Sequence, residues 1–467
     1  MAFRGPRRRP RPKRIAGATL LVAASVGGAH LAKAENHNEL SSNVAYPLKV
    51  SANKRYLVDQ RNAPFLIIGD SPQAMIGNIS LGQAAAFIAN RRAAGFNALW
   101  INLLCESYTG CRSDGKTYDG IPPFTKPADL SAPNPAYFAR VDNVIKLAAK
   151  ARIVVFLDPI ETGGWLPTLR QNGVAKDRAY GEFLGRRYKK FPNIVWMSGN
   201  DFQTWQHSSD DAVVLAVAQG IRAVDRVHPQ TVELNYESSS SLDDPRWRGL
   251  VNLDAAYTYY PTYAEVLKAY SRKRPVPVFM VEAGYEFEQN SQSISAGSPE
   301  ILRREEYWSI LSGATGVFYG NHYTWQFASG WRDHLNTPGS VQMGYVVKLF
   351  THTRWFALVP DLRHRVVTAG YGTFSTDGNV GSSNYVTTAS TRDRTIAISY
   401  IPGGKTRTVT VNTLRINGKV TVRWFDPTSG RYSSAGSPVR KSRSVHFTTP
   451  GKNNAGDRDW VLVLNGR

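Results

Sequence analysis

Carboxylates that close short apolar runs are the residues of this chain best suited to do chemistry. Asp70, Glu106, Asp158 with Glu161, Asp201, Glu233 with Glu237, and Glu282 with Glu286 all stand at such ends, as do Asn321 and His322. Two acids flanking a glycosidic bond can split it, one protonating the leaving oxygen while the other attacks the sugar or activates water. Asp201, closing NIVWMSGND, and Glu282, closing VFMVE, end the fourth and seventh of eight such runs. In a closed barrel those two ends face each other across the mouth. Aromatic residues crowd the same loops: Trp165, Trp205, Tyr257, Tyr259, Tyr260, Tyr285, Tyr323, Trp325 and Trp331. Sugar rings present apolar C–H faces that stack on such side chains, while the hydroxyl and indole tips hydrogen-bond. In YGNHYTW (319–325) polar and aromatic residues alternate just past the eighth run.

Other chemistries fare worse. GCRSDGKT (110–117) matches the phosphate-binding loop letter for letter, but YDGIPPFTKP follows, and its prolines forbid the helix whose N-terminal amides would face a phosphate. There is no G-x-S-x-G and no H-E-x-x-H, and the nine His show no ligand spacing. Neither a metal nor an organic cofactor is expected.

The elements that must position these residues alternate. The β-rich runs are FLIIGD (65–70), NALWINLL (97–104), IVVFLDP (153–159), NIVWMSGND (193–201), TVELNY (231–236), DAAYTYY (254–260), PVFMVEAG (277–284) and GVFYGNH (316–322). Amphipathic helices lie between them, with start signals at Ser80, at Asn134-Pro135 and at Ser209. Eight βα repeats of near-continuous apolar strands predict an α/β fold, a (β/α)8 TIM barrel over residues 46–353. YPLKVSANKRYLVDQRNAP, ahead of the first run, reads as a hairpin capping the barrel bottom. From residue 355 to 467 the helical pattern gives way to RTIAISYI, TRTVTVNTL, KVTVRWFDP, SVHFTT and DWVLVLN with Gly, Ser, Pro and Asn turns, the pattern of an all-β sandwich.

Of the 467 residues, 42% are hydrophobic and 20% charged, enough to bury a large core and to exclude disorder across the chain. Residues 1–34 have the three-part layout of a signal peptide: RGPRRRPRPKR, an apolar run from Ile15, and Ala32-Lys33-Ala34. Export to the periplasm or the medium is expected, with no membrane span left after cleavage. That segment holds eight of the 57 Lys and Arg and no acid, so the formal charge of +21 becomes +13 for the rest of the chain. A basic excess favours acidic polymers such as uronate-rich polysaccharides or anionic cell surfaces; no nucleic-acid-binding motif accompanies it. The only cysteines, Cys105 and Cys111, are six apart and in an oxidising compartment would form a local disulfide.

Taken together, several segments resemble the apiosidase-like (β/α)8 proteins related to glycoside hydrolase family 140. They are Tyr56-Leu-Val-Asp59 through Pro64-Phe65 to Gly69-Asp70; Asn90-Arg91 to Gly95-Phe96-Asn97; and Asn193-Ile-Val-Trp196 to Gly199-Asn-Asp201. Val281-Glu282 to Gly284-Tyr-Glu286 and Tyr319-Gly-Asn-His322 with Trp325-Gln326 complete the set. Leu358-Val-Pro-Asp361 and Arg423-Trp-Phe-Asp-Pro427 to Gly430 resemble the collagen-binding-type β-domain that often follows this barrel. The resemblance implies a retaining glycosidase with Asp201 as acid/base and Glu282 as nucleophile. Ser71-Pro72-Gln73 departs from the Thr-Ala-Trp type of sequence that follows the first strand in the family, and the CESYTGC loop is particular to this chain.

The expectation is therefore a monomeric, exported glycoside hydrolase acting on a polysaccharide or oligosaccharide, apiosidase-like on pectic glycans. Asp70, Asn200, Tyr257, Tyr259, Tyr285, Glu286, Asn321, His322 and Trp325 are the expected substrate contacts, Asn200 meeting the 2-hydroxyl. The competing reading is a non-catalytic carbohydrate or matrix-binding protein that uses the barrel as a cleft and the β-domain as an anchor.

Overall fold

Strands apolar on both faces are stable only where both faces are covered, as in a barrel whose interior is filled by side chains and whose outside is ringed by helices. The computed structural model describes residues 44–235, 237–289, 297–436 and 439–466. In it the eight runs become β1 (Ile67–Asp70), β2 (Ala98–Asn102), β3 (Val154–Asp158), β4 (Ile194–Phe202), β5 (Gln230–Leu234), β6 (Asp254–Thr258), β7 (Val278–Glu282) and β8 (Gly316–Tyr319). They lie in the order β5-β4-β3-β2-β1-β8-β7-β6, each ladder parallel, which is the (β/α)8 arrangement expected. Between β5 and β6 the described residues form no ladder. A short strand, Ser238–Ser240, runs antiparallel to β6 there. The Ser241 hydroxyl crosses the seam, donating to the Val232 carbonyl and accepting from the Ala255 N–H at 2.8 Å.

Phe156, Phe279 and Phe318 fill the barrel interior with ring centroids 4.9–5.9 Å apart. A Cβ on Gly69 would stand 2.4 Å from the Phe318 ring, so β1 can pass this cluster only as glycine. The helix Leu81–Ala93 starts with the reciprocal box foreseen at Ser80: its hydroxyl accepts from Gln83 N–H at 3.2 Å, and Gln83 accepts from Ser80 N–H at 2.9 Å. Asn134 caps the helix Pro135–Lys150. At the third start signal the structure differs, because the helix Ser208–Val224 begins earlier, after His207, and Ser209 lies within its first turn. The acidic Asp210 and Asp211 there suit the positive end of the helix dipole. The expected hairpin under the barrel is a three-stranded antiparallel sheet, Lys49–Val50, Leu57–Val58 and Pro64–Phe65, with Leu57 and Phe65 buried in the barrel core.

The C-terminal part pairs six antiparallel strands, ordered Leu358–Pro360, Thr387–Thr391, Ile396–Ile401, Trp460–Gly466, Val420–Asp426 and Arg431–Ser434. A second sheet holds Val367–Ala369, Thr408–Val411 and Val445–Thr448. Val409, Val411, Trp424, Phe447, Leu462 and Leu464 belong to one buried cluster between them. The expected signal peptide lies outside the described residues, and among those described no helix is long and apolar enough to cross a membrane.

Barrel and β-domain share a core. Tyr307, on the helix Pro299–Leu311, stacks on Tyr400 with centroids 5.1 Å apart, and Trp308 donates its indole N–H to the Tyr385 carbonyl at 3.1 Å. Beside them the buried Arg303 grips Asp459 with two hydrogen bonds of 2.9 and 2.8 Å, and Gln342, Asp457, Tyr400 and Asn453 complete the cluster. A buried charge stripped of its partner is costly, so Asp459→Ala should lower the unfolding free energy by about 3–5 kcal/mol. Urea denaturation followed by fluorescence reads this, and a loss below about 1 kcal/mol would mean that the ion pair does not hold the domains together.

Candidate active site

Three carboxyls meet at the C-terminal mouth of the barrel. β4 carries Asp201 there through a distorted end: Gly199, Asn200 and Asp201 all have positive φ, of 113°, 59° and 56°. A Cβ on Gly199 would stand 2.0 Å from the Glu233 carbonyl oxygen. The two non-glycine residues hold a conformation that costs on the order of 1–3 kcal/mol each, and the surroundings pin it. Thr162 donates to the Gly199 carbonyl at 2.8 Å, Asn102 donates its amide to Asn200 Oδ1 at 2.8 Å, and Asp201 N–H donates to Glu233 Oε2 at 3.1 Å. Strain of this kind sets the direction of the Asp201 side chain.

Across the mouth, β7 ends in Glu282 inside a cage of phenols. Tyr259 donates to its Oε1 at 2.6 Å, the Tyr257 hydroxyl stands 3.1 Å from the same oxygen, and Tyr285 donates to Oε2 at 2.7 Å. Gln73 in turn donates to the Tyr285 hydroxyl at 3.1 Å. Asp201 receives a hydrogen bond on Oδ2 from Tyr108 at 2.7 Å, and its Oδ1 has no hydrogen-bond partner among the described residues. Among the described residues no Lys or Arg is paired with Asp201, Glu233 or Glu282.

Burial without a cation makes charge expensive here. It is the main cause that pushes the Glu282 carboxyl up to about 8; the charge of Asp201 adds to it, and the three tyrosine hydroxyls oppose it. Asp201 is raised by burial and pulled back by Tyr108 and Tyr257. Glu233 is held well above the carboxylate range by burial and then by the charges of Glu282 and Asp201, and its Oε1 has no hydrogen-bond partner among the described residues. Burial and mutual repulsion thus raise the proton affinity of all three carboxyls, which suits acid chemistry.

Tyr108 reaches the site from a built loop. Cys105 and Cys111 are joined by a disulfide, Glu106 accepts from Tyr108 N–H at 3.2 Å, and Thr109 donates to Glu161 at 3.3 Å. A Cβ on Gly163 would stand 2.0 Å from the Tyr108 ring, so the ring lies flat on glycine while 40% of the residue remains exposed in the mouth.

The apiosidase-like catalytic domain family matches residues 51–357 of the sequence. The chain belongs to the apiosidase-like family. By that membership it is a glycoside hydrolase. Residues 376–465 match a second family, described as "Putative collagen-binding domain of a collagenase". A solved structure described as a glycoside hydrolase superposes with a TM-score of 0.77 at 21% identity, covering 91% of this chain and 98% of the other. A glycoside hydrolase family 5 protein from Bacteroides vulgatus ATCC 8482 gives 0.76 at 21% identity, covering 90% and 93%. At such identities the likeness is one of fold, and it extends through barrel and β-domain together. No curated protein matches the sequence.

In this apiosidase-like barrel, Asn200, Asp201, Tyr257, Tyr259, Glu282 and Tyr285 come together. The other expected substrate contacts do not join them. Asp70 is buried in an ion pair with Arg91 and accepts from Ser71 N–H at 2.7 Å, so its carboxylate is used inside the fold. Glu286 is also wholly buried; Tyr319, Thr337 at 2.6 Å and the Gly339 N–H at 3.0 Å occupy its oxygens. Asn321 caps the short helix His322–Trp325 through Tyr323 N–H at 2.9 Å and donates to the Tyr319 hydroxyl at 2.9 Å. His322 and Trp325 gather round Glu288, the indole N–H donating to it at 2.9 Å. Glu233, Tyr108 and Gln73 are the residues added to the site. Glu233 was legible as a strand-end acid, whereas Tyr108 is signalled in sequence only by the tight cysteine pair around it.

Proposed function

We propose that this chain is an exported, retaining O-glycosidase of plant-derived polysaccharide, pectic glycans foremost, working as a monomer. The observation that carries this reading is the pair of acids at the ends of β4 and β7, each held by phenols and near enough that the charge of Asp201 raises Glu282. The retaining mechanism follows from the family resemblance, and it requires the two carboxyls to stand ~5–5.5 Å apart rather than the ~6.5–9.5 Å that admits a water. Burial and the Asp201 charge hold Glu282 up at about 8, and the three phenols that face it, against one on Asp201, are what favour Glu282 as the member of the pair that gives up its proton to act as nucleophile.

In the first step a Glu282 oxygen bonds to the anomeric carbon as the glycosidic C–O bond breaks, and Asp201 gives its proton to the departing oxygen. Water then attacks the anomeric carbon of the glycosyl ester, Asp201 takes the water proton, and Glu282 leaves as carboxylate. Asn102 occupies Asn200 Oδ1, which leaves the Asn200 amide N–H groups for the sugar 2-hydroxyl. The leader over residues 1–34 and the Cys105–Cys111 disulfide support release into the periplasm or medium.

The test is product stereochemistry. Purified protein is screened against plant and bacterial glycans, and the first anomer released is followed by proton NMR. Retention at the cleaved carbon is the expected result; an inverted first product would overturn the mechanism.

A further inference from the structure

We infer that the opposite, N-terminal face of the barrel carries a binding site for an anionic glycan. A cavity of about 820 Å³ opens there, among residues that precede β6 and β7 and the sheet that caps the barrel bottom. Five cations line it: Lys54, Arg248, Arg272, Lys273 and Arg274. Arg272 is neutralised within the fold by Asp243 at 2.7 Å and Asp254 at 3.1 Å. The remaining four are exposed and form no ion pair among the described residues. Four uncompensated charges converging on one concave surface repel each other, and the low-dielectric wall focuses their field outward. An anion entering the cavity relieves that repulsion.

The rest of the lining selects the kind of anion. Val50, Leu242, Val251, Val276 and Pro277 form an apolar floor, and no aromatic side chain is present in the wall. A nucleic acid strand would lack rings on which to stack its bases, and a bilayer would need a protruding apolar surface rather than a hollow. A uronate-type sugar combines an apolar C–H face, which fits the floor, with a carboxylate, which two arginine forks and two ammonium groups can meet. Because Asp201 and Glu282 stand at the other end of the strands, a chain held here leaves the cleft open. The site would tether the enzyme to an acidic polymer, and it does not depend on the catalytic assignment.

Binding of polygalacturonate to the full chain without its leader, measured by affinity electrophoresis at low and high salt, tests this. The triple variant Arg248→Glu, Lys273→Glu, Arg274→Glu should bind at least tenfold more weakly, and the wild-type affinity should fall steeply as salt rises. Arg248→Gln with Lys273→Gln, a milder pair, should weaken binding severalfold with unchanged thermal stability and cover the case in which the triple variant misfolds. Affinity unchanged in both variants, or no binding at low salt, would overturn the site. Equal affinity for duplex DNA or for phosphatidylserine vesicles would overturn its assignment to a glycan.

Discussion

Glu282→Gln should lower kcat/KM by about 10⁴-fold or more on any glycan the protein cleaves, with the fold intact. Gln has the shape of Glu, and its carbonyl can still accept from Tyr259 and Tyr257 where Oε1 does now. Its amide can donate to the Tyr285 hydroxyl, which already accepts from Gln73. What it lacks is the negative charge that the proposed nucleophile needs. Stability should move the other way. The folded state holds the Glu282 carboxyl up at about 8, above its unfolded value near 4.5, so its contribution is fully present below pH 4.5 and is lost as pH rises through 8. The Gln variant has no such loss, and its melting temperature at pH 8–9 should equal or exceed that of the parent. Residual turnover above about 1%, measured against a refolding-competent control, would remove Glu282 from the nucleophile's place.

The barrel was legible because its strands are apolar on both faces, and few other architectures bury such runs. The eight runs named in the sequence contain the eight strands to within a residue or two at most ends. Strand-end logic also locates the mouth and, with it, Asp201, Glu233 and Glu282. It does not say which way a side chain points one or more residues past a strand. Glu282 and Glu286 are four apart on one segment, yet the first faces the phenol cage and the second is locked under Thr337 and Gly339. Asp70 ends β1 as Glu282 ends β7, but Arg91 on the following helix captures it. Partners supplied by distant segments decide these cases, and no local pattern encodes them. The same holds for Asn200 and Asp201, whose left-handed backbone depends on Thr162, Asn102 and Glu233. Tyr108 is the clearest instance. It enters the site because a disulfide fixes its loop and because Gly163 leaves room for its ring.

Asp201→Ala should divide substrates by their leaving groups. Where the departing oxygen needs a proton, kcat/KM should drop about 10²- to 10⁴-fold. With a dinitrophenyl glycoside of the same sugar, whose leaving group departs unaided, kcat/KM should change little. The second step then limits turnover because no base activates water, and added azide should restore kcat and yield a glycosyl azide of retained configuration. A structural role for Asp201 would depress both substrate classes alike and show no azide rescue. Its proton affinity supplies a second readout. Burial raises the Asp201 carboxyl and Tyr108 pulls it down by donating to the charged form. Since the acid must be protonated, activity falls as pH rises through that value. Tyr108→Phe removes the donor, so the group should hold its proton to higher pH and the basic limb of kcat/KM should move upward. The same variant deprives the Asp201 carboxylate of a partner when it must act as base, so kcat should fall, by about tenfold on the scale of a lost hydrogen bond to a charged group. A basic limb unmoved in Tyr108→Phe would show that the phenol only walls the cleft, whereas a limb absent in Asp201→Ala with the activated substrate would place that ionisation on Asp201 itself.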